Sequence, residues 1–345
     1  MSQWPEGVKL GLQDVIAAQK RIRPYLAPTP LRHYRELDEA VGHGIRVLVK
    51  HENHQPTNAF KVRNGLSVLT TLDRAQKRRG VIGATRGNHG QGLAWAGALL
   101  GIPVTICVPR GNSPGKNAAM RGFGAELIEE GKDYDESVTV AERLVAERGL
   151  RMVHSTNNPD IIAGAGTITL ELVDQAARQR ESLDAMVVAV GGGSQAVGAI
   201  TVLREHGALA EAQAQAGETR IPVYGVQAAK AAAMHDSWHA GQRLTVDSAD
   251  TFADGLATRS TYDATYAPLC RGLRDFVKVS EGEIAEAIRV FMRTTHNLAE
   301  GAGAAGLAGL CELAPRLEGK TVAVILSGSN LDLSTLRAVL NHEIA

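Results

Sequence analysis

The chain has 345 residues, 37 basic and 37 acidic side chains, 44% apolar content and 4% aromatic content. That length accommodates roughly two domains of about 150 residues with ample core and excludes a disordered chain. Balanced charge leaves no basic stripe for a phosphate backbone or an anionic lipid surface, so neither nucleic acid nor membrane is an expected partner. Apolar runs such as Val187 to Val190 and Val322 to Leu326 have strand length and fall far short of a membrane span. Met1 to Leu12 is mixed and polar, so no signal segment is expected. Cys107, Cys270 and Cys311 are an odd, widely spaced set without Cys-x-x-Cys, expected as reduced cytoplasmic thiols in buried elements. The excess is glycine, with 37 copies where average usage is about 7%, unaccompanied by the Pro and Ser of low-complexity sequence.

In chain order, short β-branched runs alternate with stretches of helical length, the pattern of an α/β protein. Strands are expected at Arg46 to His51, Val81 to Ala84, Val104 to Val108, Glu126 to Glu129, Met152 to His154, Ala185 to Val190, Val223 to Val226 and Thr321 to Leu326. Helices are expected at Lys61 to Arg78, His89 to Leu99, Tyr134 to Glu147, Gly164 to Val173, Val197 to His206 and Glu281 to Thr294. Ser113 and Pro114 form an N-cap with proline at the first helical position, and Gly122 and Gly124 stop that helix. No repeat and no Gly/Ser linker divides the chain, so two domains would have to interleave.

Four segments carry chemistry. In His51-Glu52-Asn53-His54-Gln55-Pro56-Thr57-Asn58-Ala59-Phe60-Lys61 a polar loop leads into a helix, and a lysine in a first helical turn faces the positive end of the dipole, which lowers its pKa. Such a lysine suits amine nucleophile chemistry. Thr85-Arg86-Gly87-Asn88-His89-Gly90-Gln91-Gly92 turns from a strand into a helix and aims backbone N–H groups at a carboxylate or phosphate; His89 reads equally as a structural histidine. Gly191-Gly192-Gly193-Ser194 follows an apolar strand and precedes a helix, an arrangement that cradles phosphate, although a turn with no ligand uses the same residues. Ser327-Gly328-Ser329-Asn330 follows another buried strand, where open α/β sheets bind ligands. Residues 191–196 also fit the dinucleotide fingerprint Gly-x-Gly-x-x-Ala, but the next strand ends in Gln227 and not in the acid that would hold a ribose. Residues 301–306 fit the same pattern after a helix, the wrong context, and Gly111 to Lys116 has the wrong spacing for a nucleoside triphosphate loop.

Pro28-Thr29-Pro30-Leu31, residues 55–61, residues 87–91, residues 191–194, Ala253-Asp254-Gly255-Leu256-Ala257, Glu300-Gly301-Ala302-Gly303 and residues 327–330 stand in the order seen in the serine/threonine dehydratase family. The chain resembles that family over about residues 25–335. The resemblance implies an α/β protein with the fold type II pyridoxal-phosphate enzyme architecture, similar to the tryptophan synthase β subunit, with two interleaved three-layer domains and mostly parallel sheets. It implies a large cofactor-binding domain from residues 1–61 and 157–345, a small substrate-side domain at 62–156, no C-terminal regulatory domain and a cytoplasmic homodimer. Lys61 would hold pyridoxal 5'-phosphate covalently and Phe60 would pack on its ring. Asn88 would contact the ring hydroxyl, Gly191, Gly192, Gly193 and Ser194 the phosphate, and Ser327 the ring nitrogen. Gly255 and Glu300 would complete the cofactor's surroundings, while Thr85, Arg86, Gly87, Asn88 and His89 would receive the substrate.

The implied reaction is elimination of water from a β-hydroxy amino acid of the L-threonine or L-serine type, giving a 2-oxo acid and ammonia, with Lys61 and Arg86 facing the chemistry. Racemases of the family carry serine where this chain has Arg86. Arginine stays protonated and is a poor base, which demotes racemisation. Arg86 could instead meet a second polar group, so a bulkier 3-hydroxy amino acid (phenylserine, 3-hydroxyaspartate or a hydroxyectoine-derived compound) is a rival substrate, to which Asn58 also points. A nicotinamide-dependent dehydrogenase and a non-catalytic cofactor binder are the readings from other classes. Gln227 and Ala233 stand where related enzymes place carboxylates, so no divalent cation is expected there. His235 and His239 lack a third ligand and are expected as exposed polar residues. Glycines away from these loops are expected to be ordinary turn punctuation.

Overall fold

A computed structural model describes residues 10–208 and 221–344; residues 1–9, 209–220 and 345, which the expected domain and N-terminal assignments include, lie outside them. The chain opens with α1 (Leu12–Ile22), β1 (Leu31–His33), α2 (Arg35–Val41), β2 (Arg46–His51), α3 (Lys61–Leu69) and α4 (Arg74–Arg79). It continues through β3 (Val81–Ala84), α5 (Asn88–Leu100), β4 (Val104–Val108), α6 (Pro114–Gly122), β5 (Glu126–Glu129), α7 (Tyr134–Arg148) and β6 (Arg151–Met152). Then come α8 (Pro159–Gln179), β7 (Ala185–Ala189), α9 (Ser194–Ala208), β8 (Val223–Ala228), α10 (Ala233–Ala240), α11 (Tyr266–Gly272) and β9 (Leu273–Val279). The described chain closes with α12 (Glu281–Thr295), α13 (Gly301–Leu313), β10 (Thr321–Leu326) and α14 (Leu333–Leu340).

The strands form two sheets, one ordered β1-β2-β10-β7-β8-β9 and one ordered β5-β4-β3-β6. All pairings are parallel except β1 with β2. The chain leaves the larger sheet after β2, builds the whole smaller sheet, and returns at β7. Both faces of the larger sheet are covered. Val47, Val49, Val187, Val322 and Val324 pack with α12 and α13 on one side, and Leu48, Met186, Val188, Ala323 and Ile325 pack with α8 and α9 on the other. Two-sided burial makes these strands continuous apolar runs, which is why they are readable in sequence.

Differences from expectation have local causes. The helix expected over residues 61–78 is two helices. Thr70 and Thr71 donate their hydroxyls back to the carbonyls of Leu66 and Val68, and Asp73 starts a fresh helix with a capping box to Gln76. Strand β9 carries charges on its exposed positions, as an edge strand does, and β1 has only three residues, so neither gives an apolar run. The strand expected at 152–154 pairs only at Arg151 and Met152. Of the three cysteines only Cys107 is buried; Cys311 is exposed. His239 is exposed but His235 is half-buried, its ring 4.3 Å from that of His239.

Gly65 and Gly164, outside the loops, are not punctuation, and Gly92 and Gly198, in or beside them, serve the same packing. A Cβ on Gly65 would stand 2.5 Å from the Gly92 carbonyl oxygen, one on Gly92 2.5 Å from the Lys61 carbonyl, and one on Gly164 2.8 Å from the Arg63 carbonyl. A Cβ on Gly198 would stand 2.6 Å from the Gly166 nitrogen. Glycine thus lets α3 lie backbone-to-backbone against α5 and α8, and α8 against α9.

Behind α3 sits a buried ionic cluster. Arg63 donates to Glu52 Oε2 at 2.7 Å and Oε1 at 2.9 Å, and to Glu171 Oε1 at 2.7 Å and Oε2 at 2.8 Å. Lys50 donates to Glu171 at 2.9 Å and to Gln175 and the Thr29 carbonyl at 2.8 Å each. Thr29 closes the set by donating to Glu52 at 2.6 Å. The two cations balance the two carboxylates, and neighbouring Arg63 holds the Glu52 carboxyl below its ordinary range despite burial. Removing one member of such a set strands a buried charge. Arg63→Met is expected to cost about 3–5 kcal/mol of stability, seen as a lowered urea midpoint of the apoprotein; a midpoint within error of wild type would refute that role.

Candidate active site

Loops from the carboxyl ends of parallel strands converge on one cleft, where open α/β sheets bind ligands. Strand β2 leads to the loop before α3, β3 to residues 85–87, β7 to residues 190–193 and β10 to residues 327–330. The cleft, about 1060 Å³ with its open mouth, is lined by every cofactor and substrate residue that the resemblance implied: Phe60, Lys61, Thr85 to His89, Gly191 to Ser194, Gly255, Glu300 and Ser327.

Lys61 is the first residue of α3. The preceding segment is held to the β10 loop by an antiparallel bridge between Ala59 and Gly328, with Phe60 N donating to Ser327 O at 3.0 Å and Ser329 N to Asn58 O at 2.9 Å. Asn58 is exposed and left-handed at φ 54°. It is absent from the cleft lining, so its place is conformational and it gives no support to a bulkier substrate. The Lys61 Nζ stands 4.8 Å from the Phe60 ring centroid. Desolvation lowers its pKa to about 8. The cause is burial, where sequence suggested the helix dipole.

The glycine loop is wedged. A Cβ on Gly191 would meet the Gly255 carbonyl oxygen at 2.2 Å, and one on Gly192 would meet Thr156 Oγ1 at 2.1 Å. Gly193 has φ 94°, a conformation that disfavours side chains. The N-terminus of α9 follows at Ser194, and its first N–H groups have no partner within the helix. This is a ready anion site.

Asn88 opens α5 and is oriented from both ends. Its Nδ2 donates to Glu300 Oε1 at 2.5 Å, and its Oδ1 accepts from Asn330 at 2.7 Å. Burial raises the Glu300 carboxyl to about 7, with Lys116 opposing the shift. Ser327 is buried, its Oγ 3.4 Å from the Ala302 carbonyl. Thr85 Oγ1 accepts from Gly87 N at 3.0 Å. His89 Nε2 meets the Val153 carbonyl at 3.2 Å while its Nδ1 is buried without a hydrogen-bond partner among the described residues, and burial drives its pKa down to about 3. It is a neutral histidine held at the wall of the cleft by the carbonyl that follows β6. Arg86 is exposed at the rim.

Sequence reasoning assigned no role to Lys116, Tyr134, Ser155, Thr156 or Tyr262, which also line the cleft. Lys116 forms an ion pair with Asp254 and packs beside Gly87; nothing local in sequence marks it. Gln227, standing where a carboxylate was looked for, is buried and committed: Oε1 accepts from His235 N at 2.9 Å. Among the described residues no group of three or more His, Cys, Asp or Glu side chains is placed to hold a metal ion. No described helix is long and apolar enough to cross a membrane.

Residues 22–328 match the family described as pyridoxal-phosphate dependent enzyme. The chain belongs to that family. It is 33% identical over 330 residues to an L-threonine ammonia-lyase of Thermotoga maritima, covering 96% of this chain and 78% of the relative. It is 36% identical over 327 residues to one of Geobacter sulfurreducens, covering 94% and 77%. Among solved structures, a threonine deaminase from T.th. superposes with TM-score 0.85 at 34% identity, covering 94% of this chain and 99% of that one. Maize serine racemase superposes with TM-score 0.87 at 27% identity, covering 97% and 98%. The fold is therefore the fold type II architecture, and the cofactor of this enzyme is pyridoxal phosphate. The cleft suits that group. It offers a desolvated amine, a phosphate-sized cradle without Cβ atoms, and a neutral hydroxyl at Ser327.

Two outcomes follow for cofactor capture. The apoprotein's rate of covalent capture of pyridoxal phosphate should rise with pH through about 8, because the neutral amine is the nucleophile and deprotonation creates it; stopped-flow absorbance would show it, and a rise centred near 10.5 would contradict a desolvated Lys61. Gly192→Ala should weaken cofactor binding by about tenfold or more through the clash with Thr156, measured by titrating apoprotein with cofactor.

Proposed function

We propose that this chain is a dehydratase that eliminates water from a β-hydroxy amino acid of the L-threonine or L-serine type, releasing a 2-oxo acid and ammonia. The observation that carries this reading is the Lys61 amine, desolvated and without a hydrogen-bond or ion-pair partner among the described residues, lining the same cleft as the glycine loop. Names of the relatives support the same reaction class. When bound, the cofactor supplies the conjugated ring that takes up the electron pair released at Cα.

The chain's own residues do the rest. Residues 191–194 hold the phosphate with backbone N–H groups and the Ser194 hydroxyl. Thr85 and the N–H groups at the start of α5 hold the α-carboxylate. Lys61 Nζ removes the α-proton once its amine is free. The Cβ–OH bond then breaks and the hydroxide leaves as water, the α-proton taken up by Lys61 balancing it, and the released enamine takes up water to give the 2-oxo acid and ammonia. Ser327 is a hydroxyl where a carboxylate would favour a protonated ring, and a weaker electron sink favours prompt loss of the β-hydroxyl. Arg86 supplies no neutral base for proton return on a second face, which favours elimination over racemisation.

The same reading takes residues 1–61 with 157–345 as the cofactor-binding unit and 62–156 as the substrate-side unit, a division that sheet membership supports. A homodimer and a cytoplasmic location belong to this proposal as well, the latter supported by three unpaired cysteines. Borohydride reduction of the holoprotein followed by peptide mass analysis should place the cofactor on Lys61, and threonine or serine should yield 2-oxo acid; a protein unlabelled at Lys61 and silent toward both amino acids would overturn the reading.

A further inference from the structure

The elimination leaves one cationic group of the cleft unused. Arg86, between Thr85 and Gly87 in the turn from β3 to α5, is exposed and has no hydrogen-bond or ion-pair partner among the described residues. The other two Lys or Arg side chains of the lining are committed, Lys61 to the cofactor and Lys116 to Asp254. Arg86 also lines a second cavity that adjoins the first; Tyr134, Ala257, Thr258 and Tyr262 are the other residues common to both.

None of the outer cavity's carboxylates forms an ion pair with Arg86. Asp133 caps α7 through Glu136 N at 2.9 Å and lies 3.7 Å from Arg259, and Asp135 is paired with Arg259. Asp247 and Asp250 are exposed and line the outer cavity alone. Among the residues shared by the two cavities Arg86 is the one cation, and no acid is shared. A planar guanidinium that has no acceptor of its own and lines a cleft suits a carboxylate, which it binds through two parallel N–H···O bonds.

We propose that Arg86 is a specificity-determining residue that selects β-hydroxy amino acids carrying a second carboxylate at or next to Cβ. The inference rests on the dehydratase reading and deepens it. The bond changes are unaltered: the Cα–H and Cβ–OH bonds break, water leaves and returns, and a dicarboxylic 2-oxo acid and ammonia are released.

The test compares kcat/KM for 3-hydroxyaspartate and for threonine in wild-type holoenzyme, Arg86→Ala and Arg86→Lys, with 2-oxo acid release as the readout. A hydrogen-bonded charge pair of this kind corresponds to about tenfold to a hundredfold. The ratio of diacid to threonine kcat/KM should fall by at least about tenfold in Arg86→Ala and recover in part in Arg86→Lys. A ratio that stays within about twofold of wild type would overturn the proposal, as would a parallel fall for both substrates, which would assign Arg86 to the α-carboxylate. Absence of diacid turnover by the wild type would overturn it too. Borohydride labelling of Lys61 and threonine turnover in the same preparations separate a failure of this assignment from a failure of the dehydratase reading.

Discussion

The buried cluster of Arg63, Glu52, Glu171 and Lys50 is the interaction on which the placement of the reactive amine depends. Its members come from β2, the loop after it, α3 and α8. Arg63 lies two residues beyond Lys61, so a guanidinium clamped by two carboxylates sets both the start and the rotation of α3. Such a cluster carries a heavy desolvation cost, and its value lies less in net stability than in the geometry it permits. The glycine contacts act on the same helix from outside. With Gly92 against the Lys61 carbonyl and Gly164 against that of Arg63, α3 is held at backbone contact by α5 and α8.

Once α3 is fixed, the cleft follows from parallel-sheet topology. Strands of both sheets deliver their carboxyl ends to one region, and the loops there are stitched to one another. Phe60 bonds to Ser327, Glu300 N to the Gly328 carbonyl, and Asn330 to both Asn88 and the Thr57 carbonyl. Asn88 belongs to an element that follows the small sheet's β3, and Glu300 and Asn330 flank elements of the large sheet, so this chain of hydrogen bonds joins the two halves of the site. The Lys116–Asp254 ion pair does the same along the rim. Low dielectric in this setting leaves Lys61 able to lose its proton near pH 8 and His89 uncharged.

Much of this was legible beforehand, and the reasons are local. Strands buried on both faces appear as apolar runs, so β2, β3, β4 and β10 stand at the boundaries that the sequence suggested, and the edge strand β5, exposed at both ends, does so without that pattern. The glycine loop and the Lys61 segment announce themselves because a strand-to-helix turn pressed against its neighbours, and a lysine opening a helix after a polar loop, show in a linear pattern. Elements without such a pattern were missed: the charged edge strand β9, the three-residue β1, and the threonine-broken junction of α3 and α4. Mid-helix glycines were misjudged as turn punctuation, since a glycine that admits a neighbouring backbone looks no different in sequence from one that ends a helix.

By itself the sequence determined the fold class and marked out the Lys61 segment and the glycine loop, because each depends on short-range patterns of apolar residues, glycine and one lysine. Tertiary structure alone decided which charges are paired. Arg63, Lys116 and Arg86 are all simply cations in the sequence, yet one is buried between two carboxylates, one is clasped at the rim and one is left free beside the cleft. That difference rests on partners 11, 108 and 138 positions away along the chain, and on the desolvation that accompanies burial, neither of which a linear pattern records.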